Sequence, residues 1–339
     1  MWGGGRASPG AAPRDPSVNA TRPGGRLALP SAATVIEATL YTDPACPWGY
    51  SALPSFRVLE WRYRDQLDWR LVVIGLREEA SPARFDPARS ARRNATFRER
   101  YGMPFAAAPK ERAAGTGRGC RAVVAARLLD PGSEWRVLRA LQLANFTTPL
   151  LLDDAERIRE ALRGAPGIDA DAIADRLDDK DVVEAYERDR AAARTAAGTA
   201  AEAQGKTSTS DGPVRFTAPS LVFERGGRRL VAGGWQPVLA YDVLIANLDP
   251  TISRMPPPDD SRSLLGSFSD GLTTAEAAAL LAEGPDYWAD LGETEASLLR
   301  LVADGVAERI PLGQDAVWRL MTTAQQLGAA DLEASTPVA

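Results

Sequence analysis

Residues 43–50 have the sequence Asp-Pro-Ala-Cys-Pro-Trp-Gly-Tyr and lie between a predicted strand, residues 34–41, and a predicted helix, residues 47–63. Proline is favoured in the first turn of a helix, because its missing N–H would have no partner there. Cys46 therefore faces backbone N–H groups without intrahelical acceptors. These donors and the helix dipole favour the thiolate, so we expect a lowered pKa and a reactive thiol. The alternative is a small buried hydrophobic residue.

The pattern on both sides of this motif predicts an α/β fold. A second apolar strand is predicted over residues 67–76, and strand, helix and strand connected at this length form a parallel βαβ unit. Farther along, Gly226 and Gly227 supply the positive φ of a tight hairpin turn between predicted strands 220–223 and 228–232. With a closing helix, residues 236–248, this is the order of a thioredoxin-like fold.

The chain divides into four predicted segments. Residues 1–33 are rich in Gly, Pro, Ala and Arg and form a predicted disordered tail. A thioredoxin-like domain is predicted over residues 34–80 and 207–250. Between its two parts lies a large all-helical insertion, residues 81–206, with predicted helices at 88–101, 118–129, 134–145, 155–162 and 181–203. The last segment, residues 251–339, is a predicted small C-terminal winged-helix-like unit with a linker at 255–258, helices at 272–282 and 293–304, and a hairpin turning at 312–313.

The chain has no histidine and two cysteines, Cys46 and Cys120. The lack of histidine excludes Ser-His and Cys-His catalysis and every histidine-ligated metal site. Two thiols are too few for a thiolate zinc site, an iron–sulfur site or a disulfide-built scaffold. We therefore expect no metal.

Composition and charge set the expected partners and compartment. A net charge of −5 gives no general reason to expect nucleic acid or an anionic membrane. The sequence contains no apolar run of about 20 residues, the length that would predict a membrane span. The first 33 residues contain no apolar run like a signal-peptide core. We expect a cytoplasmic protein, in a reducing compartment where cysteines are free, catalytic or buried.

The motif at residues 43–50, the helical insertion and the later Thr217-Ala218-Pro219 together resemble the DsbA family of thioredoxin-like oxidoreductases. The resemblance spans about residues 34–249 and is greatest to the cytoplasmic FrnE-like branch. Relatives with the same fold include kappa-class glutathione transferases and 2-hydroxychromene-2-carboxylate isomerases.

The resemblance implies a role for each motif residue. Cys46 matches the nucleophilic cysteine of the family, and Pro47 and Trp48 match the pair that follows it. Pro219 matches a cis-proline whose loop faces the thiol, and the backbone of Ala218 would pair with an extended substrate strand. The alternative for Pro219 is an ordinary trans proline that opens the hairpin.

One residue departs from the family pattern. Members that shuttle disulfides carry a second cysteine three residues after the first, where this chain has Gly49. A mixed disulfide needs another thiol to resolve it. A low-molecular-weight thiol such as glutathione or mycothiol, not tightly bound, could do so, or Cys120 could, or the redox cycle has been lost.

Cys120 is the candidate resolving thiol, at the start of a predicted helix between Arg118 and Arg121. The two arginines would favour a thiolate. The neighbouring Val123 and Val124 favour ordinary packing, which we prefer.

Three functions remain open. The first is a DsbA-like thiol–disulfide oxidoreductase that acts through a single nucleophilic cysteine on a disulfide-containing protein or a small electrophile. The second is a small-thiol-dependent transferase or isomerase of the kappa-class glutathione transferase type. The third is a non-catalytic interaction protein. The sequence leaves the oligomeric state open.

Two charged regions bear on partners. The early insertion is basic and could receive an acidic ligand, although we prefer a solvated helical face; its cations are Arg92, Arg93, Arg98, Arg100, Lys110, Arg112, Arg118 and Arg121. Residues 270–339 carry 12 acidic side chains and 3 arginines, the wrong sign for binding phosphates. For the C-terminal unit we expect packing or dimerisation rather than DNA binding.

Overall fold

The computed structural model describes residues 35–80, 85–106, 109–283 and 290–322, so the predicted tail at 1–33 lies outside the described residues. In chain order the elements are β1 (Ile36–Thr42), α1 (Pro47–Ser51), α2 (Leu53–Tyr63), β2 (Leu67–Val73), α3 (Pro87–Tyr101), α4 (Gly117–Leu129), α5 (Glu134–Thr147), α6 (Ala155–Leu162), α7 (Ala170–Asp175), α8 (Lys180–Ala193), α9 (Ala200–Ala203), β3 (Thr207–Ser208), β4 (Arg215–Phe216), β5 (Ser220–Arg225), β6 (Arg228–Ala232), α10 (Val238–Leu248), α11 (Ser261–Ser267), β7 (Leu272–Thr273), α12 (Thr274–Leu281), α13 (Leu291–Ala303), β8 (Ala307–Leu312) and β9 (Asp315–Leu320).

A mixed sheet in the order β2-β1-β5-β6 carries the thioredoxin-like fold. β1 and β2 are parallel, whereas β5 is antiparallel to both β1 and β6. The β5–β6 turn is made by Gly226 and Gly227, whose φ angles of 56° and 76° are accessible to glycine at little cost. The predicted parallel βαβ unit and hairpin are therefore present.

The helix predicted over residues 47–63 is two helices in the structure. α1 ends at Ser51 and α2 begins at Leu53, with Pro54 in its first turn. Proline has no N–H to donate to the carbonyl four residues earlier, and its ring crowds that position. The break leaves α1 a short element whose first turn carries the motif.

Both faces of the sheet are buried. Alternate residues of β1 point to opposite faces, and each face packs into a different core cluster. Ile36, Ala38 and Leu40 pack into the large core with α2, α4 and α10. Tyr41 lies in a second cluster on the other face, together with Phe216 and Ala218 of the chain that leads into β5. Cys46 belongs to this second cluster.

The segment between β2 and β3 is mostly helical, as predicted, but two details differ. The helix predicted at 181–203 is divided into α8 and α9, with Gly198 at φ 74° between them. The short helix α7 was not predicted, and neither was the pairing of the two-residue strands β3 and β4.

The C-terminal residues contain helices followed by a hairpin, in the winged-helix order. The hairpin strands β8 and β9 form a three-stranded sheet with β7, in the order β7-β9-β8. Gly313, at φ 65°, lies in the hairpin turn. The additional elements α11 and β7 were not predicted from the sequence. In the predicted linker, the Met255 N–H donates to the Arg62 carbonyl at 2.9 Å, so this segment packs along α2.

A buried ion-pair cluster joins this region to the rest of the molecule. Glu276 of α12 accepts two hydrogen bonds from Arg139 of α5, and Arg57 of α2 lies 3.6 Å from the same carboxylate. Glu276 also completes a capping box with Thr273. Arg57 and Arg139 both contact Asp270 as well.

Candidate functional site

Cys46 caps the N-terminus of α1. Its backbone is extended (φ −83°, ψ 114°), and its Sγ accepts a hydrogen bond from the Gly49 N–H at 3.5 Å. The preceding turn is closed by the Cys46 N–H, which donates to the Asp43 carbonyl at 3.1 Å. The local geometry expected from the sequence, a sulfur against free amide groups at the start of a helix, is thus present.

The loop that contains Pro219 lies against this sulfur. The Ala218–Pro219 peptide bond is cis, and the Cys46 thiol donates to the Ala218 carbonyl oxygen at 3.1 Å across 172 residues of chain. The Ser220 hydroxyl holds the loop by donating to the Thr217 carbonyl at 2.6 Å and accepting from the Gly234 N–H at 3.1 Å. The tertiary structure therefore joins Cys46, Ala218 and Pro219 at one place.

The predicted lowering of the Cys46 pKa is wrong. The residue is 4% exposed, and burial raises the pKa of its thiol to about 12 against the opposing N–H groups of Gly49 and Trp48. The negative charge of Asp43 adds to the rise. Two helix N–H groups cannot replace the water that a thiolate loses here, so at neutral pH Cys46 is a thiol.

Asp43 connects three parts of the chain beneath the motif. Its carboxylate accepts hydrogen bonds from the backbone N–H groups of Ala45 and Leu76, both at 2.8 Å, and from the Thr116 hydroxyl at 2.9 Å. Burial raises the pKa of Asp43 despite these donors. Sequence reasoning missed this residue, although its position three residues before Cys46 was a usable signal.

Gly49, which replaces the second motif cysteine, has little free space around it. A Cβ atom here would lie 2.6 Å from the Thr42 Oγ1 and 3.7 Å from the Gln142 Nε2. The Thr42 hydroxyl and the Gln142 Oε1 are buried and have no hydrogen-bond partner within the described residues. The structure thus packs the unpaired Thr42 hydroxyl where a side chain at position 49 would begin.

Cys120 lies in the large core and is fully buried. Its thiol donates to the Asp43 carboxylate at 3.5 Å, and burial raises its pKa well above the usual value. The expected help from Arg118 and Arg121 is absent, because both arginines pair with Asp178. Cys46 and Cys120 are both free thiols, and their hydrogen-bond acceptors differ.

Aromatic side chains border the other side of the motif. The Trp48 ring is 41% exposed and lies edge-on to Phe97 and Tyr101 of α3, at centroid distances of 4.9 and 5.7 Å. Tyr101 in turn contacts Trp235 at 5.3 Å. Trp48 therefore lies on α3 and leaves part of its ring accessible beside the thiol.

A cavity of about 680 Å³ adjoins the motif on the side of Ala45 and Pro47. Its wall includes five cationic side chains, Arg77, Arg89, Arg93, Lys110 and Arg112. Three of these, Arg93, Lys110 and Arg112, belong to the basic stretch for which we preferred a solvated face. Sequence reasoning missed the enclosure because the wall combines residues from several distant segments.

A metal site and a membrane-spanning helix are both absent from the part of the chain that the structure describes. Those residues contain no group of three or more His, Cys, Asp or Glu side chains placed to hold a metal ion. None of the described helices combines the length and apolar character needed to cross a bilayer.

Comparison with known proteins finds a matching family model for one part of the chain. Residues 37–199 match the model of the DSBA-like thioredoxin domain. Among solved structures, the cytosolic disulfide reductase DsbM from Pseudomonas aeruginosa is 18% identical, with a TM-score of 0.43 over 63% of this chain and 100% of its own. A probable DsbA oxidoreductase from Streptomyces coelicolor is 16% identical, with a TM-score of 0.48 over 67% of this chain and 94% of its own.

No significant match is found among curated proteins. The family match begins in β1 and ends before the hairpin β5–β6, which the structure adds to the same sheet. The family match and this sheet topology agree: residues 37–199 are similar to the DSBA-like thioredoxin domain, and the chain has a thioredoxin-like fold.

Proposed function

We propose that this protein is a thiol–disulfide oxidoreductase that uses Cys46 as its single nucleophile and an external thiol to complete each cycle. The observation that carries the proposal is the position of the Cys46 Sγ, at a helix N-terminus and 3.1 Å from the carbonyl oxygen of Ala218. A disulfide aligned along the Ala218 backbone would present a sulfur to this atom.

The reaction has two exchange steps. Cys46 loses its proton and attacks one sulfur of a disulfide, so that a new S–S bond forms and the other sulfur leaves as a thiolate that takes up the proton. An external thiolate then attacks the mixed disulfide, which releases Cys46 and a new disulfide. Because Gly49 offers no second thiol, glutathione, mycothiol or another small cytoplasmic thiol would perform the second step.

The resting structure protects the thiol. The hydrogen bond to Ala218 and the burial of the sulfur both favour the protonated form, so reaction requires that the loop release this contact. A partner that occupies the Ala218 backbone would do so. The enzyme would then form its thiolate mainly when a substrate is bound.

Intact mass after exposure to a small disulfide tests this proposal in three chains: wild type, Cys46→Ser and Cys120→Ser. We expect one adduct on the wild type and on Cys120→Ser, none on Cys46→Ser, and its release by excess thiol. An adduct on Cys120, or a loss of two mass units that joins the two cysteines, would contradict the single-nucleophile cycle.

One observation favours a non-catalytic interaction protein instead. The Cys46 side chain is nearly inaccessible and its pKa is raised to about 12, as for a structural thiol. In that case the folded protein forms no adduct at pH 8, while the unfolded chain does, and Cys46→Ser retains all biological activity.

The cavity beside Ala45 and Pro47 favours a third function, a transferase or isomerase that depends on a small thiol. A small molecule bound in this cavity would lie next to the Cys46 motif, and no protein substrate would be needed for the reaction. Turnover of a small electrophile that requires added thiol, while protein disulfides are ignored, would support this function over disulfide exchange.

A further inference from the structure

The wall of the cavity beside the motif carries more cationic side chains than nearby carboxylates neutralise. Arg89 and Arg93 lie one turn apart on α3 and have no ion-pair partner within the described residues. The one carboxylate among the described residues of this wall, Asp86, already caps α3 by accepting a hydrogen bond from the Arg89 backbone N–H at 3.0 Å. Two guanidinium groups therefore remain available to a ligand.

The rest of the cationic wall is held in place mostly by neutral groups. The Lys110 Nζ donates to the Asn145 Oδ1 at 2.9 Å and to the Leu150 carbonyl, and Arg77 donates to the Ala114 carbonyl at 3.2 Å. These acceptors orient the cations without neutralising them. Burial lowers the pKa of Lys110 to about 8, which an anion bound nearby would reverse.

Arg112 is the exception in this wall, because Asp153 accepts two hydrogen bonds from its guanidinium group, at 2.5 and 2.9 Å. This bidentate pair fixes the edge of the cavity and accounts for one of the five charges. Four cations are left without a carboxylate partner in the described structure, on a wall that also includes the residues on either side of Cys46.

We propose that this cavity is the binding site for the external thiol, and that it selects a small thiol or disulfide with at least two anionic groups. A volume of about 680 Å³ suits a ligand of roughly tripeptide size. The anionic groups would pair with Arg89, Arg93 and Lys110, while the sulfur lies at the Ala45–Pro47 wall. This proposal rests on the proposed function.

The positive charge of the cavity favours glutathione over mycothiol as the external thiol. Glutathione carries two carboxylates, whereas mycothiol has no ionised acidic group. The unbalanced arginines favour the first type of ligand, since a neutral sugar thiol leaves them unpaired. Carboxylates and phosphates share this chemistry, so both are compared in the experiment.

The experiment measures the rate of adduct formation on Cys46 with three probes: glutathione disulfide, coenzyme A disulfide and the neutral bis(2-hydroxyethyl) disulfide. For Arg89→Gln/Arg93→Gln we expect the rate with one or both anionic probes to fall roughly tenfold, and the neutral probe to change less than twofold. Added KCl should slow only the anionic reactions.

Arg92→Gln is the matched control, because Arg92 is exposed on the same helix and does not line the cavity. It should leave all three rates within twofold. Equal losses in Arg92→Gln and in the double variant, or equal rates for anionic and neutral probes, would overturn the proposed subsite.

Calorimetric binding to Cys46→Ser separates this proposal from the proposed function. We expect this variant to bind reduced glutathione or coenzyme A, and to lose that affinity when Arg89→Gln/Arg93→Gln is added. Binding without any adduct on the wild type would retain the subsite and reject the exchange reaction. Adduct formation with no charge dependence would retain the reaction and reject the subsite.

Discussion

Gly49 and Thr42 are packed so closely that a Cβ atom on Gly49 would lie 2.6 Å from the Thr42 Oγ1. Position 49 is where related disulfide-shuttling proteins carry their second cysteine. The departure from the motif is therefore built into the packing around α1 and is more than the loss of one sulfur. A second cysteine would need a different side chain at position 42 or a shift of the helix.

We expect Gly49→Ala to destabilise the protein by about 1–3 kcal/mol, because the added methyl group overpacks the space next to Thr42. Gly266→Ala is the control: it also lies in a helix, but its Cβ would meet its nearest neighbour at 3.6 Å, so it should be neutral or stabilising. Urea unfolding measures both. Thr42→Ala should recover part of the loss in Gly49→Ala, and equal effects of the two glycine substitutions would contradict this packing.

The raised pKa of Cys46 predicts slow alkylation at neutral pH. Because the thiolate reacts and the pKa is about 12, the rate with iodoacetamide should rise about tenfold per pH unit from pH 7 to beyond pH 9. Mass spectrometry of labelled peptides over this range measures it. A plateau below pH 8 would show a depressed pKa and refute the effect of burial.

The same shift predicts a loss of stability in alkali. The folded pKa of Cys46 lies above the unfolded value, so the unfolded chain releases its proton first, and this contribution to stability is lost as pH rises from about 9 to 12. Cys46→Ser should therefore lose less stability than the wild type between pH 8 and 10. Parallel pH profiles for the two proteins would contradict the prediction.

Asp43→Asn should lower both stability and the pKa of Cys46. The amide introduces N–H donors where the carboxylate accepts from Ala45, Leu76 and Thr116, at a cost of about 1–3 kcal/mol. Removal of the negative charge should also speed the alkylation of Cys46 at a given pH. Thr116→Val, which removes one hydrogen bond but keeps the charge, should reduce stability with a smaller effect on the thiol.

Glu276→Gln should destabilise the fold by about 3 kcal/mol, since it removes the bidentate counter-ion of the buried Arg139 and leaves it only Asp270, at 3.4 Å. Glu293→Gln is the control, because that residue is exposed at the equivalent position of α13. Although burial opposes ionisation, Arg139 and Arg57 hold the pKa of Glu276 below its usual value. Its contribution is present above about pH 4.5 and lost at lower pH, so the variant should show less acid destabilisation.

Features that depend on residues adjacent in the sequence were predictable from the sequence. The position of Cys46 before Pro47 placed it at the start of a helix, and Gly226-Gly227 located the β5–β6 turn. The helix break at Pro54 also follows from the chemistry of one residue, although a single helix was predicted over residues 47–63. The element order then led to the thioredoxin-like fold, because few topologies accept a βαβ unit followed by a hairpin.

Features that depend on burial were not predictable. Local donors at the N-terminus of α1 suggested a thiolate, yet Cys46 is covered by Ala218, 172 residues away, and desolvation outweighs those donors. The same holds for the space beside Gly49, which depends on Thr42 and Gln142 from two other elements.

The sequence by itself determined the fold and the place of the Cys46 sulfur at the start of a helix, because strand, turn and helix signals act over a few residues. Only the tertiary structure decided the protonation of that sulfur and the cationic cavity beside it. Solvent exclusion and unbalanced charge are sums over side chains from distant segments, and these become neighbours only when the chain folds.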